Sequence, residues 1–262
     1  MQTLNINTEN NEASQEEMGF WKRQFRPRAT NTQKGFDWAF GVVLPLICMM
    51  ADPIVFKGHG LAHGSPVLGS AKPFAYLLSF ISIFIMVGWL LLGNRLKSSG
   101  ALVAGTFFAG SAISFVVGVV LLPLSLIGMF MLIGFLGFTP LFSAFVYLRN
   151  GFRAYRSAEV FLENRIRLGI TLLAGLFSLT IPYVVNREIN AYVSEMVGGN
   201  AAIIYSHAER IKYFAPLVDF SRLGGHYCNS PDSKEHQALT EVYQRFTGGS
   251  IEDVDFASCN DF

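Results

Sequence analysis

Three side chains near the end of the first apolar segment could bind a metal ion or carry a proton. Asp52 precedes a glycine-rich stretch in which His59 and His63 stand four residues apart. Imidazole suits zinc or copper, and an acid at membrane depth is a candidate proton or cation ligand. The surrounding glycines favour a loop over a helix. The alternative is an interfacial aspartate at a helix end, which Pro53 favours, followed by two ordinary loop histidines.

Other familiar chemistries have no basis in the sequence. It contains no GxxxxGK[ST] phosphate loop, no HExxH zinc motif, no GxSxG nucleophile motif and no GxGxxG fingerprint. We therefore expect no catalytic residue and no cofactor, and we do not expect an ATPase or a familiar hydrolase.

The amino-acid composition indicates the class of protein to which these side chains belong. Hydrophobic residues make up 51% of the 262 residues and charged residues only 15%, whereas a soluble domain carries about 25% charged residues. The net charge of +1 offers no basic field for nucleic acid. The sequence predicts an all-α, multi-pass membrane protein. Its expected partners are the lipid bilayer and other membrane or envelope proteins, with no nucleic acid.

Apolar runs of about 20 residues can cross a bilayer as helices. The tract between Lys97 and Arg149 holds 51 residues without Asp, Glu, Lys or Arg, which is long enough for two crossings. We place the break between them at Pro123. Five spans are predicted, at about 36–56, 74–92, 101–121, 125–148 and 168–185. Asp37, at the start of the first, is interpreted as a structural helix cap.

Basic residues set the predicted orientation, because Lys and Arg accumulate on the cytoplasmic side. An amino terminus inside the cell places twelve basic residues inside and three outside. Residues 1–35 then form a disordered cytoplasmic tail with a juxtamembrane anchor. An interfacial amphipathic helix is expected at 149–167, with its arginines towards lipid phosphates or solvent. The predicted membrane-surface anchors are Trp21, Lys22, Arg23, Arg26, Arg153 and Arg156.

Residues 186–262 are predicted to form a small extracytoplasmic helical domain. Two of the three cysteines, Cys228 and Cys259, lie in this segment. A disulfide between them could persist in an oxidising compartment, and the alternative is two unrelated thiols. The chain has no Asn-x-Ser/Thr acceptor, which favours a bacterial source and a location in the inner membrane.

Small residues in the third and fourth spans indicate close helix packing. A kinked bundle around a pore or substrate path is the alternative. The residues expected at these contacts are Gly110, Ser114, Gly118, Gly134 and Gly137.

Three functions are compatible with these features. We favour a non-enzymatic scaffold or subunit of a larger envelope complex, because charges inside the spans are scarce. A transporter or channel component would use Asp52 and the loop with His59 and His63. A membrane enzyme would hold a metal at the same three side chains.

Overall fold

The computed structural model describes residues 30–55, 66–93, 95–128, 137–218 and 233–248, and within these ranges it is helical and contains no strand. The prediction of an all-α chain is therefore confirmed at the level of fold class. A π-helical segment, Ala39–Val43, separates the first two helices, and 3₁₀ segments occupy Ala158–Val160 and Lys212–Leu217. The α-helices are α1 (Asn31–Trp38), α2 (Leu44–Val55), α3 (Pro66–Leu92), α4 (Gly100–Gly128), α5 (Thr139–Ser157), α6 (Asn164–Gly198), α7 (Ala201–Ile211) and α8 (Lys234–Thr247).

Three described helices are long and apolar enough to cross a membrane: Ala71–Leu92, Gly100–Pro123 and Asn164–Met196. They coincide with the predicted spans 74–92, 101–121 and 168–185, so the membrane class is confirmed. The remaining spans, 36–56 and 125–148, stay predictions.

The predicted break at Pro123 is wrong, because α4 continues through this proline to Gly128. Proline removes one backbone hydrogen bond, but a helix inside a membrane can tolerate it when neighbouring groups hydrogen-bond to the freed carbonyl. The chain then returns as α5, antiparallel to α4. Ser111 donates to the carbonyl of Ala144 (2.8 Å), and the ring of Phe107 stacks on that of Tyr147.

The interfacial helix expected at 149–167 is also absent from this stretch. Residues 149–157 are the end of α5, the 3₁₀ segment follows, and α6 begins at Asn164. One face of this end is buried, because Arg149, Asn150 and Arg153 are each at most 2% exposed. Residues buried in the protein interior are not available to a membrane surface.

The chain divides into two compact units, one of residues 1–42 and 84–176 and the other of residues 43–83 and 177–262. In the first, α4 and α6 cross at the glycines Gly105 and Gly175. A Cβ atom built on Gly105 would lie 2.7 Å from the amide nitrogen of Gly175 and 2.7 Å from Cβ of Ala174. Thr171 Oγ1 donates to the carbonyl of Ala101 in α4 (3.1 Å). The two helices can approach this closely only because Gly105 and Gly175 have no side chains.

In the second unit, the end of α6 packs with α7 and α8 around an apolar core. Asn200 and Ser233 cap the two short helices through hydrogen bonds to backbone N–H groups. The apolar positions recur at helical spacing, so each helix buries one face. The buried core residues are Ile189, Val193, Met196, Ile204, Ala208, Ile211, Val218, Ala238, Leu239, Val242 and Tyr243.

Ion pairs on the surface of this unit connect α7 to the following 3₁₀ segment and to α8. Glu209 accepts a hydrogen bond from Lys212 (2.9 Å) and pairs with Arg245 of α8 (2.8 Å). These two cations hold the pKa of the Glu209 carboxyl below its usual value of 4.5. A carboxylate whose pKa is lower in the folded than in the unfolded protein stabilises the fold at pH values above the unfolded pKa. This stabilisation is lost as the pH falls through the pKa of the folded state.

We therefore expect amide exchange in α7 and α8 of the full chain, expressed relative to the intrinsic exchange rate at each pH, to accelerate below about pH 4.5. The acceleration should be smaller in Glu209→Gln, which has no carboxylate to protonate. Glu188→Gln, at an exposed acid of α6, is the matched control and should behave as the wild type. Equal acceleration in Glu209→Gln and the wild type would contradict this assignment.

Candidate functional site: a buried aspartate between two arginines

The most highly charged place inside the first unit is the contact between α1 and α5. The Asp37 carboxylate is fully buried and pairs with two arginines that are each 2% exposed. Oδ1 is in direct contact with Nη2 of Arg149, and Oδ2 lies 3.3 Å from Nη1 of Arg153. The Nη2 group of Arg153 also donates to Oε1 of Gln33 (2.8 Å). We call these four residues the Asp37 cluster.

Helical spacing explains how two elements present the Asp37 cluster to each other. Gln33 and Asp37 are four residues apart on α1, and Arg149 and Arg153 are four residues apart on α5. Residues at this spacing share one helix face. The capping box formed by Thr30 and Gln33 starts α1 two turns before Asp37. The interpretation of Asp37 as a helix cap is therefore wrong.

Aromatic rings surround the paired charges. The guanidinium of Arg149 lies 5.6 Å from the ring centre of Phe36 and 5.5 Å from that of Phe145. Such cation–π contacts are worth more when the cation is shielded from water. The rings thus stabilise a charge that bulk solvent does not reach.

The π-helical segment follows directly after this ion pair. A π turn interrupts the regular hydrogen-bond ladder, and its carbonyl groups then need other donors. Two side chains of α5 provide them: Ser143 Oγ donates to the carbonyl of Phe40 (2.7 Å), and the Tyr147 hydroxyl donates to that of Gly41 (2.9 Å). Together with the Asp37 cluster, these bonds join the start of the first apolar segment to α5.

Removing the Tyr147 hydroxyl should weaken this junction measurably. Tyr147 is buried, so Tyr147→Phe leaves a carbonyl of the π turn without this donor. We expect a loss of about 0.5–1.5 kcal/mol in the free energy of unfolding, measured by denaturant titration in detergent. Tyr183→Phe is the control, since Tyr183 is 60% exposed. An unchanged stability of Tyr147→Phe would show that this bond contributes nothing.

The predicted metal site lies largely outside the described residues. Asp52 falls within α2, but its side chain is not among the described side chains. His59 and His63 lie outside the described residues. Within the described ranges, no three His, Cys, Asp or Glu side chains are grouped closely enough to hold a metal ion. The two cysteines of the proposed disulfide and four of the predicted anchors also fall outside the described ranges: Cys228, Cys259, Trp21, Lys22, Arg23 and Arg26.

Of the two anchors that are described, Arg156 is exposed and Arg153 is buried. The expectation that Arg153 contacts the membrane surface is wrong, because its guanidinium is held by Asp37 and Gln33. The sequence did contain a signal. Asp37 and Asp52 are the only acids between Glu17 and Glu159, so few ion partners were available to Arg153.

Two of the small residues expected at helix contacts meet the opposite helix of the α4–α5 hairpin. A Cβ atom on Gly118 would lie 2.6 Å from the Leu141 side chain, and one on Gly137 would collide with Ser125. Gly110 is buried and Ser114 is half-buried. Gly134 lies outside the described residues.

The chain matches no protein-family model, no curated protein and no solved structure.

Proposed function

We propose that this chain is a non-enzymatic membrane scaffold, a subunit of a larger complex in the bacterial inner membrane. It crosses the membrane five times, with a cytoplasmic amino terminus and an extracytoplasmic carboxyl-terminal domain at 186–262. The excess of basic residues on one side supports this orientation. The packed core around α7 and α8 supports a folded unit that partners could recognise.

The observation that carries the proposal is the pairing of buried Asp37 with buried Arg149 and Arg153 in the first unit. An ionisable group at membrane depth is by default a candidate for transport or proton transfer. Asp37, however, has one carboxylate oxygen against each of two buried arginines. A carboxylate held in this way is suited to fixing α1 against α5 rather than to loading and releasing an ion.

The carboxyl-terminal unit provides the surface that we assign to a partner protein. Tyr213, next to the end of α7, is 83% exposed, and Ile203 and Tyr205 on α7 are about two-fifths exposed. Tyrosine is enriched in protein interfaces because it combines a large apolar ring with a polar group. A subunit that contacts its partner outside the membrane would use such a surface.

Purification of the full chain from its native membrane in mild detergent tests this proposal. We expect a second polypeptide in constant ratio with the chain. Tyr213→Ala should reduce the recovery of that partner several-fold at unchanged abundance of the chain. Tyr183→Ala, which removes an exposed tyrosine from α6, is the matched control and should retain the partner.

Two results together would reverse the assignment. If the chain purifies without a stoichiometric partner, and Asp52→Asn abolishes an ion flux at normal abundance, the protein is a transporter. The stability of the Asp37 cluster is unaffected by that outcome, so the structural and functional conclusions can fail separately.

A further inference from the structure

The turn between α5 and α6 presents two apolar side chains outward. This α5–α6 turn comprises residues 158–163. Val160 is 86% exposed and Phe161 is 56% exposed, although such residues are ordinarily buried. We infer that the α5–α6 turn inserts Val160 and Phe161 into the lipid interface, so that it anchors this end of the helix pair to the bilayer.

The α5–α6 turn is held in shape by its own hydrogen bonds. The N–H groups of Phe161 and Leu162 both donate to the carbonyl of Ala158 (3.0 Å each). The Val160 and Phe161 side chains are therefore presented by an ordered backbone. Ordering these residues before contact reduces the entropy lost on insertion.

Buried Arg167 ties both ends of the turn together. Its guanidinium lies 4.3 Å from the ring centre of Tyr155 in α5. Its Nη2 group donates to Oδ1 of Asn164 at the start of α6 (3.0 Å). The Tyr155 hydroxyl donates to the same Asn164 oxygen (3.2 Å), and Nη1 lies 3.7 Å from the Glu159 carboxylate. This arrangement directs Arg167 inward, so that its charge does not lie beside the exposed Val160 and Phe161 side chains.

The surface around the turn identifies lipid as the occupant. The α5–α6 turn lies directly before α6, which is long and apolar enough to span the membrane from Asn164 to Met196. Ile166 and Leu168 are each about half exposed. Arg156 and Arg165 are exposed on either side, where they can reach lipid phosphates. Apolar tips flanked by arginines are typical of segments that lie in the interface.

Glu159 and Glu163 define how deep the turn can insert. Both acids are exposed on the same turn, and a carboxylate in the acyl region would be costly. Val160 and Phe161 should therefore lie in lipid while both carboxylates face water. The inference rests on the membrane location of the chain and not on its role as a subunit.

Photocrosslinking in the native membrane tests the inference directly. The full chain is made with p-benzoylphenylalanine in place of Val160, of Phe161 or, as the matched control, of Glu163. After illumination, each protein is purified and its intact mass is measured. We expect adducts with the mass of one phospholipid at the first two positions, several-fold more abundant than at the control position.

The competing occupants give different products. A dimer of the chain, or a crosslink to another polypeptide at Val160 and Phe161, would overturn the inference. Equal, low adduct formation at all three positions would also overturn it. Phe161→Trp in lipid nanodiscs gives a second measurement, because brominated lipid should quench the added fluorescence relative to wild type. An unquenched tryptophan would contradict insertion.

Discussion

Asp37→Asn should destabilise the protein more than any other single polar substitution described above. The variant leaves two guanidinium groups buried without their carboxylate, and breaking a buried ion pair by removing one partner costs about 3–5 kcal/mol. Asn retains the size of the side chain, but one acceptor oxygen becomes an NH₂ donor, so the loss reports the charge together with one hydrogen-bond acceptor. The measurement is the free energy of unfolding in detergent, supported by protein abundance in the membrane.

Two controls separate ion pairing from ordinary surface electrostatics. Glu188→Gln removes an exposed acid of α6 and should change the stability by less than about 0.5 kcal/mol. The pair Asp37→Ala and Arg149→Ala should couple strongly in a double-mutant cycle, because the two side chains touch. Additive effects of these two substitutions would refute a direct interaction.

Gly105→Ala is the second substitution with a large expected effect. Alanine is favoured over glycine by about 1 kcal/mol in a helix interior, so intrinsic preference alone would stabilise α4. The new Cβ would instead collide with the backbone carbonyl of Thr171 and approach Ala174 and Gly175 of α6. Overpacking of this kind costs about 1–3 kcal/mol, and the larger Gly105→Leu should prevent the crossing of α4 and α6.

Gly169→Ala and Gly88→Ala are matched controls for this effect. Both glycines are helical, and apart from its chain neighbours and the adjacent backbone of its own helix, a Cβ atom on either has no heavy atom within 4 Å. We expect these variants to unfold at the wild-type midpoint or slightly above it. If Gly105→Ala shares that behaviour, α4 and α6 do not cross at this glycine.

The sequence was sufficient for features that depend on local composition. Long apolar runs predicted the helices at 74–92, 101–121 and 168–185, since membrane crossing depends on length and hydropathy. The same reasoning failed at Pro123. The rule that proline ends a helix assumes that water or a turn can take over the freed carbonyl, and it applies less strictly inside a membrane.

The Asp37 cluster could be anticipated only in part. Arg149 and Arg153 have the spacing of one helix face, and few acids were available to them. Which of the two aspartates pairs with the arginines depends on the packing of α1 against α5. This packing brings together Asp37 and Arg149, which are 112 residues apart in the sequence. The positive-inside pattern gave a competing and simpler explanation for these arginines. Residues that set topology and residues that hold helices together have the same composition.

The π-helical segment had no recognisable signal in the sequence. Residues Ala39–Val43 are all apolar, as in many regular membrane helices. The donors that satisfy the π turn, Ser143 and Tyr147, lie in α5. Such a feature follows from tertiary contacts rather than from local preference.

The central claim is that the charges of the Asp37 cluster hold helices together and do not carry out chemistry. The triple variant Asp37→Leu, Arg149→Met and Arg153→Met tests it most directly, because replacing a whole buried ion group by apolar residues is often neutral or stabilising. The measurement is the recovery of the co-purifying partner, normalised to the abundance of the variant. We predict the wild-type ratio; a stable triple variant that has lost its partner would contradict the claim.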